Sequence, residues 1–259
     1  MTATRYRRAP TSIRPTPNTN ITSEAGSTNR GYPADMSDIE GAAAEEFDRW
    51  QQQGRGESMA RGHRPVVEPI LDRWALGPSS RVLDVGCGNG WAVRRMLALG
   101  AGQGTGVDIS EEMIAQATPP GRYLQAPADQ LPFPDASFSH ILSVEALYYT
   151  ADPESVLREW RRVAKPGGRL LLLVDLYREN PCWRAWQPLL TIPVHVLGEH
   201  EWAATLERSG WQVTDRRRIL EPGGVRPEAE FEPSPWSPSY ADYLAEKQAG
   251  TLCLEATAG

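Results

Sequence analysis

The chain of 259 residues predicts an α/β fold in which a mostly parallel sheet is covered by helices on both faces. Two observations carry this. Short runs of β-forming residues alternate with helical patterns from Arg81 onward, the signature of strand–helix–strand units. The first run ends in a glycine-rich bend, Gly86-Cys87-Gly88-Asn89-Gly90, where such a sheet turns into its first helix. The length suits one decorated domain.

Each element has its own reason. Residues 1–37 hold Arg5, Arg7, Arg8 and Arg14 among Pro, Thr, Ser and Asn, with no acid before Glu24. Such a stretch buries too little apolar surface to offset its ordering entropy, so a disordered tail is expected. Residues 38–80 read as a helical cap. Phe47 and Trp50 share a face in its first helix, and Gln53 to Gly62 follows as a glycine-rich stretch. Pro65 and Pro69 then place the start of a second helix between them, because proline suits a first turn. Gly77-Pro78 ends it.

Residues 81–259 form the body. Strands are expected at 81–85, 104–108, 122–125, 139–144 and 169–175. Helices are expected at 91–99, 111–117 with Ser110 as N-cap, and from Asp152-Pro153 onward. In the last of these Val156, Leu157, Trp160 and Val163 make the buried stripe. Lys165-Pro166-Gly167-Gly168 reads as a turn. A helix at 199–209 stopped by Gly210, a strand at 211–219, a helix at 238–248 and a strand at 250–255 complete the body. Insertions lie near 176–198 and 221–238.

Composition narrows the function. Lys and Arg number 27 against 33 Asp and Glu, a net charge of −6. An acidic chain has no global pull toward phosphate backbones, so no nucleic-acid partner is expected. Cys87, Cys182 and Cys253 are scattered, which argues against disulfides and a structural metal site and fits a reducing compartment. The longest apolar run, Leu170 to Val174, is far short of a membrane span. A cytoplasmic location is expected, with organelle import through the basic tail left open.

The string from Val82 to Gly90 carries most of the chemistry. Its glycines sit at Gly86, Gly88 and Gly90, behind Asp84. A dinucleotide site spaces its glycines differently and holds a pyrophosphate, which a carboxylate here would repel. Asp84 suits a cationic ligand, or else it merely orients the turn.

This string resembles motif I of the class I S-adenosylmethionine-dependent methyltransferases, in their UbiE-like, Methyltransf_11-type branch. Four further segments match in order: Gly106 to Ser110, Ala128 to Phe133, Ser143 to Leu147, and Lys165 to Gly168. The resemblance implies a Rossmann-like three-layer sandwich of seven strands in the order 3-2-1-4-5-7-6, the last antiparallel. It implies S-adenosyl-L-methionine as cofactor. The residues around it are Asp84, Gly86, Cys87, Gly88, Asn89, Gly90, Asp108, Ile109, Ala128, Asp129, Gln130, Ser143 and Glu145. Asp108 stands where the family binds both ribose hydroxyls, and Asp129 where it meets the adenine amino group.

Methyl transfer needs alignment more than a dedicated base. Tyr148 and Tyr149 stand where relatives often carry histidine. With Asp175 and His195 they are the catalytic candidates, and His195, in an apolar setting, is as readily a buried structural residue. His63, Tyr177, Trp183 and Trp186 are the substrate candidates, since aromatic insertions suit a flat, apolar or cationic molecule. His140 reads as structural. The expected reaction moves a methyl group to a small-molecule acceptor (an amine, a quinone or a natural product) and yields S-adenosylhomocysteine, by a monomer or homodimer. A protein or RNA acceptor is the alternative.

Overall fold

The computed structural model describes residues 39–259, so the tail reading at 1–37 lies outside the described residues. Seven strands form one sheet: β1 (Arg81–Val85), β2 (Gln103–Asp108), β3 (Arg122–Gln125), β4 (Phe138–Val144), β5 (Ala164–Val174), β6 (Trp211–Ile219) and β7 (Thr251–Ala258). Their order is β3-β2-β1-β4-β5-β7-β6. The first five run parallel, and β7 lies antiparallel to both β5 and β6.

The centre of the sheet is buried on both faces because β1, β4 and β5 are mostly apolar, whereas the edge strand β6 is largely polar and partly exposed. Alternation along β5 sends Leu171 and Leu173 to one face, with Val82 of β1 and Leu142 of β4. There they meet α2 (Arg55–Leu71) and α3 (Trp91–Ala98) through Val67, Ile70, Leu71, Ala92 and Met96. Leu170, Leu172 and Val174 point the other way, with Leu83 and Ile141. That face is covered by α5 (Pro153–Val163), through Leu157 and Trp160, and by α7 (Glu199–Arg208), through Trp202 and Leu206. Each fully buried leucine is worth about 2 kcal/mol.

The remaining helices are α1 (Ile39–Gln52), α4 (Glu111–Gln116), α6 (Trp183–Trp186) and α8 (Tyr240–Ala249). Ser110 caps α4 by accepting from the Met113 amide at 3.0 Å, and Asp152 caps α5 by accepting from Glu154. Asp48 of α1 accepts from Ser110 Oγ and from the Glu112 amide, which ties the cap to the entry of α4.

Three expectations are corrected. The second cap helix begins at Arg55, ten residues before Pro65, and ends at Leu71; Pro65 and Pro69 lie inside it. A proline deletes one amide donor, and the buried contacts of Ala60, Val66 and Val67 outweigh that loss. Residues 55–62, read as a glycine-rich stretch, are helical, and Gly56 packs closely against Gln51 and Met113. Lys165 to Gly168 is drawn into β5 as an irregular segment: Ala164 already pairs with Phe138, and Gly167 takes φ 70°. The final strand runs on to Ala258.

Candidate active site

The chain leaves β1 for β2 and β3 on one side, and returns to β4 on the other. This switch opens a crevice at the carboxyl ends of β1 and β4. A cavity of about 410 Å³ fills it, within the range of small-molecule sites.

The floor is the bend after β1. Gly86, Gly88 and Gly90 take φ of 77°, 50° and 76°. A Cβ on Gly86 would lie 2.3 Å from Ala146 Cβ, so this position admits no side chain. Above Gly88 the nearest atom to such a carbon is Met113 Sδ at 4.0 Å: the backbone here faces open cavity.

Two carboxyls flank the floor. Asp108, at the end of β2, accepts from the Gly88 amide at 2.8 Å and the Ser110 amide at 3.0 Å. Each oxygen thus keeps a second lone pair for a ligand. Burial pushes its pKa up, and the Ser110 and Gly88 amides partly oppose that. Asp84, 3% exposed, is pushed up to about 8, by burial first and by the Asp108 charge second. Burial also raises the Cys87 thiol well above its usual value, which fits a packing residue rather than a nucleophile.

The opposite wall gathers Glu145 and Tyr148 after β4 and Asp175 after β5, with His63 from α2. Tyr148 donates to Glu145 Oε2 at 2.8 Å, and Glu145 Oε1 is buried without a partner. Burial, reinforced by the Asp175 charge, holds the Glu145 carboxyl well above the usual carboxylate range. Burial lowers His63 and raises Asp175; their mutual attraction opposes both shifts. Tyr148 and Tyr149 are pushed up by burial, so both remain neutral phenols.

Most of the expected residues meet in this cavity: Asp84, Gly86, Cys87, Gly88, Asn89, Asp108, Ile109, Ala128, Glu145, Tyr148, Tyr149, Asp175, His63 and Trp186 line it. Others stand apart. Gly90 lies beneath Tyr123, whose hydroxyl donates to its carbonyl. Gln130 is exposed and outside the lining. Asp129 and Ser143 lie just outside it, and each has a buried oxygen without a partner. The Tyr177 hydroxyl donates to the Ala249 and Gly250 carbonyls, and Trp183 packs against the core. The His195 amide donates to the Tyr148 carbonyl, and its ring reaches the Ala151 carbonyl at 3.3 Å. His195 therefore braces the Tyr148 loop and does not face the cavity. His140 is edge-on to Trp74, and burial takes it down to about 4, as befits a structural residue.

Sequence reasoning missed Trp50, Met59 and Met113 on the walls, and Phe47 as more than a packing residue. Phe47 lies edge-on to Trp50 and to Tyr149, so α1 closes the cavity from above. Their helical spacing signalled burial, without saying against what.

Comparison with known proteins agrees with this geometry. A family model described as "Methyltransferase domain" matches residues 83–172. An uncharacterized methyltransferase from Synechocystis is 31% identical over 166 residues, covering 60% of this chain and 76% of that protein. The 27-O-demethylrifamycin SV methyltransferase of Amycolatopsis mediterranei is 36% identical over 118 residues, covering 40% and 43%. The chain spans about two fifths of the length of the first curated relatives it matches. A putative methyltransferase of Haloferax volcanii, solved in complex with the Trm112 methyltransferase activator, superposes with a TM-score of 0.77. It is 30% identical, with 82% of this chain and 97% of that chain covered. A glycine bend between two buried carboxyls, on this strand order and in this company, has one reading: the chain belongs to the class I S-adenosylmethionine-dependent methyltransferases, in their UbiE-like branch.

Proposed function

We propose that the chain transfers a methyl group from S-adenosylmethionine to a small-molecule acceptor and releases S-adenosylhomocysteine. The observation that carries this is the cavity floor, where bare Gly88 backbone lies between the buried Asp84 and Asp108 carboxyls. A ligand with an ammonium and a sulfonium favours the ionised form of these carboxyls, whereas a phosphate would push both further toward the neutral acid.

The residues present fit the donor. Asp108 has the free lone pairs to accept from both ribose hydroxyls. Asp84 and the bend from Gly86 to Asn89 would take the charged methionine end. Ile109 and Ala128 would flank the adenine, and the unpartnered Asp129 Oδ1 is an acceptor suited to its amino group. Bound there, the cofactor supplies a sulfonium-activated methyl group. The chain's own part is to orient the acceptor and exclude water. Phe47, Trp50, Trp186 and Trp236 would do the latter, and Tyr148 would orient the nucleophile. The aromatic wall supports a compact acceptor over an extended polymer. We further propose a cytoplasmic enzyme, acting as a monomer or homodimer.

A second reading, a protein or RNA acceptor reached with a protein partner, draws on one observation: the Haloferax relative is bound to an activator. Incubating the full chain and a labelled methyl donor with a cell extract separates the two. A labelled small molecule, identified by mass spectrometry, supports the first reading. Label found only in protein or RNA would overturn it.

A further inference from the structure

A second chamber of about 220 Å³ adjoins the main cavity, and His63, Glu145, Asp175, Trp186 and Glu246 line both. Asp84, Gly88 and Asp108 line only the first. The junction lies on the β4–β5 side of the cavity, next to the Gly86 end of the floor, which packs on Ala146.

The junction is acidic. Lys247 lines the second chamber, but its Nζ is bound to Glu221 at 2.6 Å and to Glu246 at 3.3 Å. Glu246 accepts in addition from Ser237 Oγ at 2.6 Å. These groups satisfy one another. Glu145 and Asp175 are left facing the junction, with Thr251 beside Asp175, Tyr148 on one Glu145 oxygen, the Asp175 backbone amide also acting on the Glu145 carboxyl, and His63 as the nearest base. The other Glu145 oxygen is buried with no partner. Glu145 is held at φ 54°, a left-handed conformation that a non-glycine residue adopts at a cost of about 1 kcal/mol. A strained residue whose buried carboxyl keeps one oxygen unpaired at the edge of a cavity is short of a donor.

We infer that the acceptor is an amine with an aromatic body, its ammonium group received by Glu145 and Asp175 and its ring by the Trp186–Trp236 side of the cavity. This deepens the methyl-transfer reading and rests on it. An anionic acceptor would be repelled by these carboxyls wherever they ionise, and a neutral one would do nothing to favour their charged forms. An ammonium can donate to the Glu145 carboxyl, and its charge favours the ionised form of one carboxyl of the pair. The Glu145 carboxylate then takes one proton from the ammonium, freeing the nitrogen lone pair. That lone pair forms the new C–N bond as the methyl–sulfur bond breaks, its electrons staying on sulfur. The product leaves as a methylated ammonium, and Glu145 returns its proton to water.

The test is calorimetric titration of the full chain, saturated with S-adenosylhomocysteine, with matched probes: 2-phenylethylamine, 2-phenylethanol and phenylacetate, and the corresponding indole series. The amines are expected to bind at least about tenfold tighter than the alcohols, with the carboxylates weakest. Glu145→Gln should remove most of that preference while leaving alcohol binding unchanged, and Asp175→Asn should weaken amine binding in the same sense. Thermal melts establish that each variant is folded. Alcohols or carboxylates bound as tightly as amines, amines bound by neither the parent nor Asp175→Asn, or an unchanged preference in folded Glu145→Gln would each overturn the inference. Failure of S-adenosylhomocysteine itself to bind would sink the methyl-transfer reading; its binding without the amines would sink this inference alone.

Discussion

The two walls of the cavity are both acidic, yet they are built differently. On the β1–β2 side Asp108 is pinned by two backbone amides and the bend is packed on Ala146 at Gly86. On the β4–β5 side Glu145 keeps an unpartnered oxygen, and His63 and Asp175 oppose each other's shifts across a chamber edge. The first wall is finished before any ligand arrives; the second waits for one. A preorganised half suits a fixed cofactor, and an unsatisfied half suits an acceptor that differs from one enzyme of this fold to the next.

The sharpest way to break this contrast is on the pinned side. Asp108→Ala removes two charge-assisted hydrogen bonds to the ribose and releases the Gly88 and Ser110 amides. Affinity for S-adenosylmethionine should fall by at least about 100-fold in a calorimetric titration. A loss of less than tenfold would put the ribose elsewhere.

Gly86→Ala comes next. It forces a Cβ onto Ala146 at positive φ and should cost about 3 kcal/mol in urea unfolding. Gly88→Ala, whose Cβ meets only open cavity, should cost about 1 kcal/mol and act instead on donor affinity. Equal stability losses would mean that the floor is not a ligand surface.

Asp84→Asn links charge to stability. The folded carboxyl titrates at about 8 against a usual 3.8. Between those values the native state holds a proton that the unfolded chain has lost, so ligand-free stability falls as pH rises through the window. The cost is complete above pH 8. The variant should match the parent near pH 4 and be more stable at pH 9, while binding the donor more weakly. Parallel stability profiles for the two proteins would show that Asp84 does not titrate in this window. The smallest effect is expected on the other wall: His195→Gln, behind the Tyr148 loop, should change kcat by less than about tenfold, below the loss that removing a general base causes.

The difference between the walls also explains what could be read from the sequence. The bend from Asp84 to Gly90 and the acid at Asp108 are local: backbone conformation demands glycine, and a strand end delivers the carboxyl. The strand order followed from the resemblance those segments carry. The acceptor side is assembled from α2, β4, β5 and α8, residues more than 100 positions apart, so no spacing announces it. Tyr177 was misjudged because an aromatic in an insertion looks alike whether it lines a pocket or, as here, fastens the insertion to the Gly250 turn. The extent of α2 was misjudged because proline and glycine preferences are local, and tertiary packing overrode both.

One titration tests the account most directly: S-adenosylmethionine and NAD, each against the full chain, with Asp108→Ala alongside. The account expects S-adenosylmethionine to bind at a single site, NAD to show no heat, and the variant to bind far more weakly. Binding of NAD without S-adenosylmethionine would contradict it.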